Sequence, residues 1–371
     1  MYSIAENLIL DPVLLRINAL VPYYSMFPLD FPLTYLAGAR SGQWVIDPFC
    51  GRGTTNYAAR LLGLPTVAVD CNPVAVAITR AKMVNVTPEM VVQECQEILA
   101  SEHHPKEVPE GPFWELCYQP ETLRQICVVR EALLDDPTAP VRAALAGIML
   151  GILHGPLNRG APSYLSNQMP RTYATKPGSA VRYWVKTGLK PPRVDVLDVV
   201  ARRARYSFAR LPGPVDCAVI LGDSRRLDRF GLSQRFDWVI TSPPYPGMRS
   251  YYPDQWLRNW FLGGRPDVEY ETSAQIGRYS GPEFVSSLAC VWRQVAALCR
   301  SGARLVVRFG ALPSVGRDPL GVLAESFWET GWVVKDVRSA GIAPAGRRQA
   351  SQFNGKVRHP VEEIDVIAVL E

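Results

Sequence analysis

Paired cysteines are missing from this sequence. Its eight cysteines, at positions 50, 71, 95, 117, 127, 217, 290 and 299, include no CxxC, and the four histidines (103, 104, 154 and 359) fall into no ligand spacing. That argues against a structural metal and against a disulfide scaffold. Long apolar runs are missing too. The longest, Ala143 to Leu153, is about half the ~20 residues of a membrane-spanning helix. The opening MYSIAENLIL has neither the basic start nor the long apolar core of a secretion signal. Nor does one sign of charge dominate: 40 basic residues face 35 acidic ones, a net +5 that suits a nucleic-acid partner without demanding one. No repeat and no low-complexity tract occurs. The expectation is a reduced, cytoplasmic protein with no membrane partner and no metal.

What is present is an ordinary globular composition, 47% hydrophobic and 20% charged over 371 residues. That is enough chain for a large core without staples. The 28 glycines and 32 prolines predict long structured loops. Three apolar runs pass straight into chemically loaded turns: Gln43–Asp47 into Pro48–Thr55, Thr66–Asp70 into a helical stretch over Pro73–Lys82, and Phe236–Ile240 into Thr241–Tyr245. Further runs occupy Asp216–Leu221, Ala303–Phe309, Trp332–Val337 and Ile364–Leu370. Strands apolar on both faces, with helices between them, imply a mostly parallel sheet covered by helices. The prediction is an α/β fold with a seven-stranded, mostly parallel sheet.

The stretch from Asp70 to Asp216 is far longer than a single βαβ crossover of roughly 30 residues. Within it Leu123, Ile126, Cys127, Leu133 and Leu134 form an apolar stripe, Pro140–Leu153 reads as a buried helix, and Val194–Leu211 as a helix carrying Arg202, Arg203, Arg205 and Arg210. Gly155–Pro192 is polar, with Lys176, Arg182, Lys186 and Lys190 among its basic residues. The chain therefore divides into an N-terminal segment with the first half of the sheet (1–104), a large, partly helical insertion (105–212), and the second half of the sheet (213–371).

The turn after Asp47 carries Gly51 and Gly53. Glycines permit a tight turn and let a ligand approach the main chain, and the helix beyond offers free N–H groups. Asp70, about 20 residues on, sits where an acid accepts hydrogen bonds from ribose hydroxyls in a doubly wound fold. The third glycine of GxGxxG is absent, which favours a nucleoside without a pyrophosphate. After the third run, Pro243 and Pro244 end the strand and stiffen the backbone. Carbonyl oxygens and the Ser242 hydroxyl are then left at the strand's carboxyl end, where this fold binds ligands. Such acceptors suit an exocyclic amino group, and Tyr245 offers a ring for a planar base.

These residues resemble the S-adenosylmethionine-dependent amino-methyltransferases of DNA. Asp47-Pro-Phe-Cys-Gly-Arg-Gly-Thr-Thr55 is similar to that family's cofactor loop. Thr241-Ser-Pro-Pro-Tyr245 is similar to its catalytic motif in the serine form, most often associated with N4 of cytosine. Pro22-Tyr23-Tyr24 and Phe27–Leu33 resemble its cofactor-capping segment, Ala68–Pro73 its second-strand motif and Gly222-Asp223-Ser224 its third. The resemblance covers about residues 22–85 and 216–370. It implies a Rossmann-like methyltransferase sheet and S-adenosylmethionine as cofactor. Phe49, Gly51 and Gly53 would line the methionine end, Asp70 would hold the ribose and Asp223 the adenine amino group. Tyr24, Asp47, Thr54, Thr55 and Asn72 complete the implied cofactor set. Ser242 and the Pro243 carbonyl, with Pro244 holding the turn, would accept from the target amine while Tyr245 stacks on a flipped base.

In relatives with this motif order a recognition domain often lies between the third and the catalytic motif, and here those motifs nearly adjoin. The insertion becomes the candidate for target recognition, through Ser163–Pro170 and the arginine-bearing helix. Other candidate DNA contacts are Arg249 and the Ala340–His359 loop, with Arg347, Arg348, Gln349, Asn354 and Lys356. Tyr252, Trp256 and Trp260, spaced four apart, read as core rather than as a stacking platform. The implied function is N4-cytosine methylation of duplex DNA, in a restriction-modification or defence system with a possible cognate endonuclease. N6-adenine methylation, RNA guanine-N2 methylation and a catalytically inactive DNA-binding module are the alternatives.

Overall fold

The computed structural model describes residues 11–23, 27–101, 104–156, 162–170, 176–246, 253–269, 275–310, 318–342 and 362–371. Seven strands, β1 (Val45–Asp47), β2 (Thr66–Asp70), β3 (Cys217–Leu221), β4 (Phe236–Thr241), β5 (Cys299–Phe309), β6 (Trp332–Ile342) and β7 (Glu362–Leu370), form one sheet in the order β3-β2-β1-β4-β5-β7-β6. β1 to β5 are parallel, and β7 runs antiparallel to both β5 and β6. This is the seven-stranded, mostly parallel Rossmann-like sheet expected from the sequence, with β5 and β6 longer than their apolar runs.

The helices are α1 (Pro12–Leu15), α2 (Asp30–Leu36), α3 (Thr54–Leu61), α4 (Pro73–Met83), α5 (Pro88–Ala100), α6 (Pro112–Cys117), α7 (Pro120–Asp135), α8 (Pro140–Ile152), α9 (Pro177–Thr187), α10 (Val196–Ser207), α11 (Trp256–Phe261), α12 (Pro282–Leu298) and α13 (Pro319–Ser326). Successive strand residues point to opposite faces. Ile46, Val67, Val69, Val239, Leu305 and Val307 therefore enter a core with α12 and α13, while Val45, Trp238, Ile240 and Val306 enter another with α2 and α3. Burial on both faces fails at the margins. β3 closes one side of the sheet and exposes Cys217 and Leu221, and β6 closes the other with Val333, Val334 and Val337 exposed.

Residues 105–212 supply α6 to α10, which pack with α4, α5 and α11 into a third core. α8 is the buried helix expected at Pro140–Leu153. The helix expected over Val194–Leu211 is shorter, because Asp195 caps α10 by accepting from the Asp198 N–H and the helix stops at Ser207. Trp256 and Trp260 are buried against Trp114, so these two are core, as read, while Tyr252 lies outside the described residues.

The chain leaves the sheet through α4 and returns at Pro212–Gly213, and a single side chain holds both ends. Arg60 of α3 is 1% exposed. Its guanidinium donates to the carbonyls of Lys82 (2.7 Å), Val84 (2.8 Å), Pro212 (3.0 Å) and Gly213 (3.2 Å). Replacing Arg60 with Met would leave these buried acceptors without donors. The expected cost is about 3 kcal/mol or more, measured as a lower urea midpoint with an unchanged m-value.

Candidate active site

β1, β2 and β4 are parallel neighbours, so the turns that follow them meet at one edge of the sheet. Asp47, the last residue of β1, is fully buried. Its Oδ1 accepts from the Phe49 N–H (3.0 Å) and from the Thr241 hydroxyl at the end of β4 (2.6 Å). Its Oδ2 is buried and has no hydrogen-bond partner among the described residues. Burial pushes the Asp47 carboxyl up to about 7, against the opposing hydrogen bonds from Thr241 and Phe49.

The glycine loop is held from below and from the side. The Gly51 N–H donates to Asp70 Oδ2 (2.9 Å) and the Asn72 N–H to Asp70 Oδ1 (2.8 Å). Each oxygen of Asp70 keeps a further lone pair, and burial raises its pKa. Gly53 has φ +71°, and a Cβ there would lie 2.6 Å from two atoms of Thr79. Only glycine fits that contact and that conformation. The Thr79 hydroxyl donates to the Gly51 carbonyl (3.1 Å), and Lys82 Nζ donates to the Arg52 carbonyl (2.5 Å) and Asn18 Oδ1 (3.0 Å). Lys82 is wholly buried, which holds its pKa well below the usual range. Asn72 caps α4 through Val74 and donates from Nδ2 to the Tyr23 hydroxyl (3.1 Å).

The other implied cofactor residues take varied places. Phe49 packs edge-on against Trp292 at 6.2 Å. Thr54 and Thr55 are buried, and the Thr55 hydroxyl donates to the Ile240 carbonyl (3.1 Å), tying α3 to β4. Asp223 accepts from the Arg225 N–H, Nε and Nη2 at 2.6–3.0 Å. Burial works to raise its pKa, but these bonds outweigh it and the carboxyl is lowered. Tyr24 lies outside the described residues.

Of the candidate catalytic motif, Pro243 is buried, while Ser242, Pro244 and Tyr245 are half-buried at the same edge. The Tyr245 ring stands edge-on to Phe309 at 5.6 Å, and its hydroxyl donates to Glu363 Oε1 (2.9 Å). Gly310 gives the phenol room, since a Cβ there would lie 3.1 Å from the Tyr245 oxygen. Sequence reading missed Glu363, Thr79 and Lys82. Glu363 reaches the site because β7 is antiparallel and begins where the parallel strands end.

Of Ser163–Pro170, the candidate base-contacting stretch, two polar residues turn inward. Ser166 and Asn167 are buried. Ser166 pairs with His154 Nδ1 (2.7 Å), and Asn167 Nδ2 donates to the Leu116 and Leu189 carbonyls. Arg210 of the arginine-bearing segment pairs with Asp11 (2.5 Å), and Arg202 donates to the Pro162 carbonyl (2.5 Å). Arg249, Arg347, Arg348, Gln349, Asn354 and Lys356 lie outside the described residues. Among the described residues no helix is long and apolar enough to cross a membrane, and no group of three or more His, Cys, Asp or Glu could hold a metal ion.

No protein-family model matches the chain, and no curated protein matches it. Among solved structures it is similar to TrmN from Thermus thermophilus, at 12% identity and a TM-score of 0.34 over 91% of this chain and 47% of that one. It thus spans less than half the length of that protein. It is also similar to magnesium protoporphyrin IX methyltransferase from Synechocystis (11% identity, TM-score 0.34, 92% of this chain and 78% of that one). A third is the rRNA methyltransferase aviRa from Streptomyces viridochromogenes (13%, 0.33, 98% and 92%). Likenesses this slight show no shared activity.

The raised Asp47 carboxyl has a consequence for stability. In the unfolded chain it titrates near 4, whereas the folded protein keeps the proton up to about 7. Its contribution is therefore fully present below about 4 and is lost as the pH rises through 7. Relative to an Asp47→Asn variant, which cannot titrate there, the wild type should lose stability between pH 5 and pH 8. A difference in urea midpoints that is the same at both pH values would refute this.

Proposed function

We propose that this protein transfers a methyl group from S-adenosylmethionine to the exocyclic N4 amino group of a cytosine flipped out of duplex DNA. The observation that carries the reading is the Thr241–Asp47 hydrogen bond, which joins the glycine loop and Ser242-Pro-Pro-Tyr245 on neighbouring strands. The residues present suit this cofactor. Gly51 keeps the loop open to a close-lying ligand while Gly53 lets it turn tightly onto Thr79, and Asp70 retains acceptor capacity for ribose hydroxyls. Asp47 Oδ2, which has no partner among the described residues, is a buried acceptor for the amino-acid end, and Phe49 adds apolar lining. Asp223, its charge secured by Arg225, would share its acceptors with the adenine amino group. Tyr24, Thr54, Thr55 and Asn72 would complete the cofactor's surroundings.

When bound, S-adenosylmethionine supplies an electrophilic methyl on a sulfonium. The protein's task is to make a poor nucleophile attack it. An exocyclic amine shares its lone pair with the ring, and two acceptors outside the ring plane draw the nitrogen toward tetrahedral geometry. Ser242 and the Pro243 carbonyl provide them, and the two prolines bring no backbone N–H of their own to compete. Ser242 is a weak base, so the amine loses its proton after transfer, when it is strongly acidic. Catalysis is then mainly orientation and electrostatics, and extruding the base costs a few kcal/mol. Tyr245, with its hydroxyl committed to Glu363, meets the base with its ring. Arg249 and the residues Arg347, Arg348, Gln349, Asn354 and Lys356 are proposed DNA contacts. The setting proposed is the modification arm of a restriction or defence system, with a cognate nuclease as partner.

Purified protein incubated with methyl-labelled S-adenosylmethionine and unmethylated duplex DNA should yield labelled N4-methylcytosine after digestion to nucleosides. Ser242→Ala should lower the rate at least about 100-fold with cofactor affinity retained. Label in N6-methyladenine, in RNA guanine, or nowhere would overturn the cytosine reading. Glu363→Leu should lower kcat about tenfold, Glu363→Gln should restore most of it, and combining Glu363→Leu with Tyr245→Phe should cost no more than either alone.

A further inference from the structure

Between Lys176 and Val194 the sequence carries five basic residues, Lys176, Arg182, Lys186, Lys190 and Arg193, and no acidic one. In a chain with nearly balanced charge this is a local excess. All five are exposed in the structure, and two of them share one face of α9. α9 buries Ala180 and Trp184 completely, and Trp184 Nε1 donates to the Gln168 carbonyl (3.0 Å). The opposite side of the helix, half a turn round, therefore presents Arg182 and Lys186 one turn apart, flanked by Ser179 and by Val185, which is 66% exposed. Gly188 ends the helix in a left-handed conformation, and the chain beyond it exposes Lys190 and Arg193. Lys176, at the start of α9, lies 3.7 Å from Asp254, in the short 3-10 turn Pro253–Gln255 that follows the catalytic motif. Arg258 of α11, the helix that continues from that turn, donates to the Pro22 carbonyl (2.8 Å), next to Tyr23, whose hydroxyl meets Asn72 just after β2, and this links the start of α9 to the edge of the sheet where the strands end.

We infer that the exposed face of α9, with Lys190 and Arg193, is where the sugar-phosphate backbone of duplex DNA docks beside the catalytic edge. This rests on the proposed action on DNA. The chemistry is charge complementarity without sequence reading: Arg182, Lys186, Lys190 and Arg193 neutralise phosphates, and Ser179 adds a neutral hydroxyl at the same surface. The earlier candidate helix, α10, serves this less well. Its last turn leads into β3, whose first residue lies at the opposite edge of the sheet from the catalytic motif.

The test is a comparison of Arg182→Gln/Lys186→Gln/Lys190→Gln with a control, Arg40→Gln/Arg300→Gln/Lys335→Gln, whose residues lie elsewhere on the surface. Binding of a 25-base-pair duplex is followed by anisotropy across a salt series, with cofactor binding and melting temperature measured alongside. In the α9 variant, affinity near 0.1 M salt should fall at least about tenfold and the slope of log K against log salt should shrink by about 3. Cofactor affinity and melting temperature should match the wild type, and the control should keep the full slope. If the wild type binds duplex and the α9 variant keeps its affinity and slope, the surface assignment is wrong while the proposed reaction stands. If the α9-dependent slope appears with an RNA hairpin and not with duplex DNA, the occupant is wrong. If the wild type binds cofactor but neither nucleic acid, the proposed function itself fails.

Discussion

A hydrogen bond between two strand ends sets the geometry of the whole site. Thr241 closes β4 and Asp47 closes β1, and the hydroxyl–carboxylate contact between them is buried and 2.6 Å long. It fixes the height of the glycine loop relative to Ser242-Pro-Pro-Tyr245, because both follow directly from the residues it joins. Thr55 reinforces the tie by bonding from α3 to the Ile240 carbonyl one residue before Thr241. A shift of one residue in either strand would separate Ser242-Pro-Pro-Tyr245 from the loop, which the proposed reaction, governed by orientation, would not tolerate.

Buried cations in this protein repeatedly face backbone carbonyls. Arg60 gathers the carbonyls at the end of α4 and at the insertion's return, Lys82 holds the Arg52 carbonyl, and Arg258 takes the Leu150 carbonyl near the end of α8 and the Pro22 carbonyl. Helix C-termini leave carbonyls without intrahelical donors, and the helix dipole makes them negative. A cation placed there loses its water but regains directed acceptors. Arg308 differs, pairing in two hydrogen bonds with buried Asp365 across β5 and β7, where the antiparallel register sets the two side chains opposite each other.

The strands were legible because a continuous apolar run followed by a polar, glycine- or proline-bearing turn has few alternatives. The Gly51–Asp70 relation was legible for the same reason, since both lie at strand ends of one βαβ unit. Tyr245 was visible by its motif, yet its partner was not: Glu363 arrives from a strand far along the chain, and its place depends on β7 running backwards. Ser163–Pro170 shows a different limit. Polar composition indicates a need for hydrogen bonds, but Ser166 and Asn167 satisfy it inside the protein, with His154 and with main-chain carbonyls. The sequence pattern does not distinguish that from exposure to a ligand.

The long excursion between β2 and β3 also bears on how the chain is made. β2 pairs with β3 from Thr66 opposite Cys217 to Asp70 opposite Leu221, so one edge of β2 stays unpaired until the entire helical insertion has been synthesised. At ordinary rates of translation that interval is on the order of 10 s. Thr66-Val-Ala-Val-Asp70 is meanwhile an apolar strand with open backbone groups, of the kind that pairs with other chains. Arg60 precedes it and cannot clasp the insertion's return until Pro212 has emerged. Nascent chains of this topology thus carry an open apolar strand edge early, before the second half of the sheet exists.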